Sequence, residues 1–265
     1  MIKRLIYLMI AAMMLSCAGD PTDDGDTAGE TNYEKGVATP GKDTGLIDIT
    51  ADSVPENLEQ EPPQPKLRAQ NVEAYQQERL TPEFHFKRGL VLYEINKYRE
   101  GIQEFDTVIE LRPDMAKAYI NRGKGKYELE NYQSALQDFE KAAELEGNDS
   151  TAYLHLGLTH YQMGNYTESI EAYNEMVKVT ENSAMAYFNR GIAYGHLKEY
   201  REAIQDFTRA TEINPNYTEA WFNLGLAYFW LGDEMSACDK WTIASNLGSQ
   251  KAGSALSKYC YGEYE

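Results

Sequence analysis

Residues 184–217 read AMAYFNRGIAYGHLKEYREAIQDFTRATEINPNY, and the glycine inside them belongs to a series at a constant spacing of 34: Gly89, Gly123, Gly157, Gly191 and Gly225. Five recurrences without insertion or deletion mark an internal repeat, and a period of this length is that of a repeat architecture. Four residues before each glycine stands a large side chain: His85, Tyr119, Tyr153, Tyr187 and Trp221. Twelve after it comes a small one (Gly101, Ala135, Ser169, Ala203, Ala237), and sixteen after it an aromatic (Phe105, Phe139, Tyr173, Phe207, Trp241). Val108, Ala142, Met176, Ala210 and Ala244 follow at nineteen, then Leu111, Leu145, Val179, Ile213 and Leu247 at twenty-two. Spacings of three and four within each half mark one face of a helix, so each unit is two amphipathic helices joined by a short turn.

A glycine inside a helix costs about 1 kcal/mol against alanine, so packing must compensate all five. The small residue of the second helix is expected opposite, letting two backbones approach closely. Turn signals fit this register: Gly164-Asn165 and Gly232-Asp233 within units, Arg112-Pro113-Asp114 and Asn214-Pro215-Asn216 between them.

These units resemble tetratricopeptide repeats. The unit Ala184 to Tyr217 carries the pattern throughout, with Tyr187, Gly191, Tyr194, Ala203, Phe207, Ala210 and Pro215. Departures are Lys126 and His160 where the pattern has Tyr, and Glu181 where it has Pro. The resemblance implies an all-α, right-handed superhelical solenoid of five helix pairs, at residues 82–115, 116–149, 150–183, 184–217 and 218–251. Leu67 to Leu80 has helical composition and is read, within 67–81, as an N-terminal cap over the first repeat. Thr81-Pro82 supplies an N-cap followed by proline at the first helical position. Ala252 to Cys260 continues the phase as an unpartnered first helix, so 252–265 is read as the C-terminal cap and tail.

Residues 1–16 hold Lys3 and Arg4 followed by an apolar run from Leu5 to Leu15, too short to span a bilayer, which reads as a secretory signal. Met14-Leu15-Ser16-Cys17 resembles a bacterial lipobox, with Met in place of the usual Leu. That resemblance implies lipidation of Cys17, palmitate included, and attachment to the membrane through the lipid anchor only. Ala18 after the cysteine resembles lipoproteins sorted to an outer membrane, so a lipid-anchored place in the bacterial cell envelope is expected, with its periplasmic or surface face open. Six of the nine prolines lie between Ala18 and Lys66, amid Gly, Thr and Asp, so 17–66 reads as a lipidated cysteine and a disordered acidic linker. A flexible chain of that length reaches about 40 Å. Asp23, Asp24 and Asp26 resemble acidic export signals, a plain solvated linker being the alternative.

The formal charge of −17, which becomes −19 once Lys3 and Arg4 leave with the signal, argues against nucleic acid and favours solubility and cationic partners. Cys238 and Cys260 remain in an oxidising compartment as either a bridge, the favoured reading, or two buried thiols. The four histidines show no metal-ligand spacing, so no metal and no cofactor is expected. Gly123-Lys124-Gly125-Lys126 lacks the glycine spacing and Ser or Thr of a phosphate loop. No catalytic residue is assigned, no small-molecule substrate is expected, and the chain is read as no enzyme.

What remains is a surface. The resemblance implies that first helices line a concave groove, and the position three before each glycine supplies Phe86, Ile120, Leu154, Phe188 and Phe222. This apolar strip either packs between repeats or forms an open groove. Two before the glycine, Asn121, Asn189 and Asn223, with Lys87 and His155 completing the row, resemble the asparagine ladders that hold peptide backbones, local hydrogen bonding, common at this position in the family, being the alternative. The expected function is a protein-binding scaffold or adaptor with a partner of unknown identity. A structural subunit of a larger or self-associating envelope assembly is the alternative.

Overall fold

The computed structural model describes residues 81–261. The signal at 1–16, Cys17, the linker to 66, the capping segment 67–80 and the tail from 262 lie outside the described residues. Among the described residues there are eleven helices and no strand: α1 (Pro82–Glu94), α2 (Tyr98–Leu111), α3 (Ala116–Glu128), α4 (Tyr132–Leu145), α5 (Ser150–Gln162), α6 (Tyr166–Val179), α7 (Ala184–His196), α8 (Tyr200–Ile213), α9 (Thr218–Leu231), α10 (Glu234–Asn246) and α11 (Gln250–Tyr259). Each helix packs on the next in the chain, and odd-numbered helices of successive pairs also meet. Five helix pairs and a closing α11 stack in chain order, as the 34-residue period predicts.

The turn inside each pair shows why the period is rigid. A left-handed residue ends every first helix, at Asn96, Glu130, Gly164, Lys198 and Gly232, with φ between 59° and 92°. The next residue's N–H returns to a carbonyl five residues back (Lys97 to Leu92, Asn131 to Lys126, Asn165 to His160, Glu199 to Tyr194, Asp233 to Tyr228). This bond satisfies a carbonyl that the helix end leaves open. Only two of the five turns spend a glycine on a conformation that costs other residues about 1–2 kcal/mol.

The repeating glycine is explained by a ring. A Cβ added at Gly123 would lie 2.6 Å from Phe139 Cε1, and one at Gly191 would lie 2.8 Å from Phe207 Cε1. Phe105, Phe139, Tyr173, Phe207 and Trp241 are all fully buried against their glycines. The expected small residue is near but plays a second part: Ser169 Oγ donates to the Gly157 carbonyl at 2.8 Å. It is therefore the aromatic sixteen residues on, more than the small residue at twelve, that needs the missing side chain. In three units the bulky residue four before the glycine pins the loop between units. Tyr119 and Tyr153 donate to the carbonyls of Pro113 and Gly147 at 3.1 and 3.2 Å, and Trp221 Nε1 donates to that of Pro215 at 2.8 Å.

At the far end α11 begins two residues earlier than the sequence suggests, because Ser249 caps it by accepting from the Ala252 N–H at 3.2 Å. Ala252, Ala255 and Leu256 close the stack against Phe222, Leu226 and Trp241. Cys238 and Cys260 form a disulfide with Cα atoms 5.9 Å apart. Closing 22 residues of chain stabilises by about 3 kcal/mol on the chain-entropy estimate.

Two substitutions separate these causes. Gly191→Ala improves helix propensity by about 1 kcal/mol but drives a methyl into Phe207, an overpacking cost of about 1–3 kcal/mol, so denaturant unfolding is expected to show a net loss. Glu130→Gly relieves a left-handed residue and is expected to raise stability by up to about 1 kcal/mol in the same measurement.

Candidate functional site

The strip expected to line a groove is interior. Ile120, Leu154, Phe188 and Phe222 are 5%, 2%, 0% and 7% exposed, and Phe86 is half-buried with its ring edge-on to Phe105 at 5.4 Å. Each sits where one helix pair meets the next. Phe188 lies 4.7 Å from the Tyr217 ring and packs with Ala220 and Leu224, while Ile120 packs with Ala142 and Ala152. Of the two outcomes the strip allowed, packing between repeats is the one taken. The asparagines are likewise buried. Asn121 and Asn223 donate from Nδ2 to the carbonyls of Lys117 and Glu219, four residues back, at 2.8 Å. In this structure those amides serve the helix itself, and a ladder open to a peptide is not formed.

Half-exposed aromatics lie elsewhere. Tyr98, Tyr132, Tyr166 and Tyr200 recur nine residues after the first four glycines of the series, a row the sequence reading passed over although it has the same period. The first three meet the tyrosine four after the glycine, with ring centroids 5.4, 5.3 and 5.5 Å apart (Tyr93–Tyr98, Tyr127–Tyr132, Tyr161–Tyr166). That inner tyrosine ties units together: Tyr93 Oη donates to the Asn121 carbonyl at 3.0 Å, and Tyr161 Oη lies 2.7 Å from His196 Nε2. Burial, then the nearby Tyr132, push the Tyr127 hydroxyl up to about 12, so it stays protonated as a donor. In the fourth unit Gly195 carries no ring. His196 stacks on Tyr166 at 4.7 Å, and Tyr200 pairs with Trp230 at 6.4 Å.

A second feature is a set of arginine clamps. Arg122 Nε and Nη2 fork onto Asp138 at 3.0 and 2.6 Å, Nη1 reaches back to Asp106 of the preceding unit at 2.7 Å, and Lys126 Nζ meets Asp138 at 2.7 Å. Arg190 repeats the arrangement on Asp206 at 2.8 and 2.6 Å, and its Nη1 reaches Asn174 of the preceding unit at 2.7 Å. The two guanidiniums lie 5.5 and 5.4 Å from the ring centroids of Tyr119 and Tyr187. The hydrogen bonds to Asp206 raise the Arg190 pKa further. Arg88 approaches Glu104 at 3.5 Å, and His85 Nδ1 lies 2.7 Å from the same carboxylate. The signal was available in the sequence: an arginine just before the glycine and an acid sixteen residues after that arginine, in units one, two and four. Units three and five have Leu156 with Ala172, and Leu224 with Lys240.

Among the described residues no group of three His, Cys, Asp or Glu side chains is arranged to hold a metal ion, and no helix is long and apolar enough to cross a membrane.

A stack of helix pairs with a glycine and ring at each crossing defines a helical-repeat protein. Its type follows from the comparisons. Residues 184–217 and residues 120–184 each match a family model described as tetratricopeptide repeat. The chain carries tetratricopeptide repeats. No curated protein matches the chain. Solved structures share the fold. YrrB, described as a TPR protein with an unusual peptide-binding site, is 20% identical with a TM-score of 0.60, covering 70% of this chain and 96% of its own. MamA is 19% identical with a TM-score of 0.59, covering 71% of this chain and 100% of its own. MamA 41-end from Desulfovibrio magneticus RS-1 is 17% identical with a TM-score of 0.59, covering 63% and 94%.

His155 stands in the asparagine row of unit three, 7% exposed and stacked on Phe139 at 5.1 Å. Burial first, and then Lys124, push its pKa down to about 3. Above the ordinary histidine pKa of about 6.5 both folded and unfolded chains hold it neutral; below that, only the unfolded chain takes up the proton. The stability held above pH 6.5 is therefore lost as pH falls towards 3, at up to about 1.4 kcal/mol per pH unit. His155→Asn, the residue at three of the other four positions of its row, is expected to flatten urea-unfolding stability between pH 6.5 and 5 relative to wild type; parallel slopes would refute the assignment.

Proposed function

We propose that the chain is a non-enzymatic interaction scaffold, tethered to the bacterial envelope through a lipidated Cys17, whose repeat domain binds segments of partner polypeptides. The observation that carries the reading is the tetratricopeptide stack itself, a scaffold type that generally serves protein interaction. It presents half-exposed aromatics at one phase of its period, Tyr98, Tyr132, Tyr166 and Tyr200, joined by Trp230. Aromatic side chains with a polar tip suit an interface that is apolar in its centre and wet at its edge. The likeness to YrrB, a TPR protein with an unusual peptide-binding site, supports the same reading. Tethering rests on the resemblance of Met14-Leu15-Ser16-Cys17 to a lipobox, and the prolines and acids that follow supply a spacer.

Phe188 and Phe222 are unsuited to testing this, because truncating a buried phenylalanine costs about 3–5 kcal/mol in stability and would unfold the site along with any contact. Tyr200→Ala with Trp230→Ala probes the half-exposed edge instead. Mass spectrometry of proteins cross-linked to the full chain in its native envelope is expected to recover partners that the double variant loses, a truncated anchor being worth about 2 kcal/mol of binding. Partners retained by a folded double variant would move the contact off this edge. Recovery of the chain alone, with self-association in sedimentation, would favour a structural subunit.

A further inference from the structure

Where α4, α5, α6 and α7 meet, the stack is indented. Leu156 and His160 of α5 and Ala172 of α6 line this depression, with Glu140 of α4 and Glu168 and Glu171 of α6. Two cations also reach its edge, Lys178 and Arg190, and both are already paired, with Glu175 and Asp206. The same three lining positions one unit earlier hold Arg122, Lys126 and Asp138, and there a guanidinium, an ammonium and a carboxylate fill the space with one ion-paired cluster. One unit later Arg190 and Asp206 fill it again. Replacing arginine by Leu156 and aspartate by Ala172 removes both partners from unit three and leaves the depression.

Two groups are left over by that replacement. Glu140 stands 34 residues after Asp106, the carboxylate that Arg122 reaches back to, and Leu156 offers Glu140 no guanidinium. His160 stands 34 residues after Lys126, and its Nδ1 is shielded from solvent with no hydrogen-bond partner. Burial pushes the His160 pKa down against the pull of Glu168, Glu140 and Glu171, and all three carboxylates line the same depression as that ring. The whole chain is acidic, with a formal charge of −17, so its field draws cations towards such a place.

We propose that this depression is a docking site for a basic, arginine-bearing segment of a partner polypeptide. An incoming guanidinium takes the place that Arg122 and Arg190 hold in the neighbouring units, donating to Glu140 while its methylene stem lies on Leu156 and Ala172. Arginine suits the site better than lysine because its planar fork matches a carboxylate and it keeps its charge at any working pH. The inference rests on the scaffold reading above and names the partner chemistry and the surface.

The test uses the full chain, a synthetic twelve-residue peptide of alternating arginine and leucine, and the same peptide with citrulline for every arginine. Fluorescence anisotropy is expected to show binding of the arginine peptide and about tenfold weaker binding of the citrulline one, the loss of a charge-assisted hydrogen bond. The paired substitution Leu156→Arg with Ala172→Asp installs the neighbours' own clamp and fills the depression. It is expected to weaken the arginine peptide by a similar factor while circular dichroism stays unchanged. Should that variant not fold, Glu140→Gln, at an exposed position, carries the same expectation. Equal affinity for the two peptides, no binding of either, or full affinity in a folded clamp variant overturns the proposal. The scaffold reading is separated by envelope cross-linking: partners that persist in the clamp variant leave it standing while this site falls, and absence of partners in wild type removes both.

Discussion

An aromatic ring lying on bare helix backbone is the contact on which every unit depends. With no side chain at Gly123 or Gly191, Phe139 or Phe207 comes down onto the first helix at a distance no Cβ would permit. The crossing of the two helices is thereby set, and with it the place of everything else. Trp241 adds a polar anchor, donating from Nε1 to the Phe222 carbonyl at 3.2 Å. Because the ring packs within its own pair, each unit must still cover its outer faces with the next one. The hydrophobic clusters accordingly straddle successive pairs, and the array is held by nearest neighbours.

Within that frame the units differ in how their second seam is filled. Arg122 and Arg190 bring charge into partly buried positions, where the cost of desolvation is recovered only by well-formed pairing. Both pair bidentately, and both extend a third bond to the preceding unit, so the clamp fixes how far one helix pair is turned against another as well as stabilising it. Leu156 and Leu224 make the corresponding contact with non-directional apolar surface. The repeat is thus periodic in backbone and only partly periodic in chemistry.

The legibility of the chain divides along the same line. The helix pairs were readable because glycine, ring and small residue obey a period that packing geometry demands, and so were the turns at Gly164 and Gly232. The turns at Asn96, Glu130 and Lys198 carry no glycine, and it is the helix-ending hydrogen bonds that hold them left-handed. The surface was harder to read. An apolar row on a first helix has the same spacing whether it faces a groove or the next repeat, and burial of Phe188 and Leu154 is decided by the neighbouring unit, which periodicity within a helix cannot see. Asparagine is equally ambiguous, since one amide can serve a ligand or its own helix, and Asn121 and Asn223 do the latter. The arginine clamps have a sequence signature, an Arg and an acid sixteen apart, but a solvated helix face holds the same residue types, and only the packed pair distinguishes the two.

A linear array opens most readily at its ends, where a unit has one neighbour instead of two. The Cys238–Cys260 bridge changes what opening means at α11. When that helix lifts off, its last turn stays linked to α10, with Cα atoms that were 5.9 Å apart in the closed stack. The turn at 247–249 already tethers one end of α11; with the other end tied as well, the effective concentration for redocking is higher and excursions at this end are brief. Reduction of the single bond frees the far end of the helix to swing off Trp241 and Phe222 about the turn at 247–249, so the lifetime of the closed terminus, rather than its shape, is what the redox state of two sulfur atoms controls.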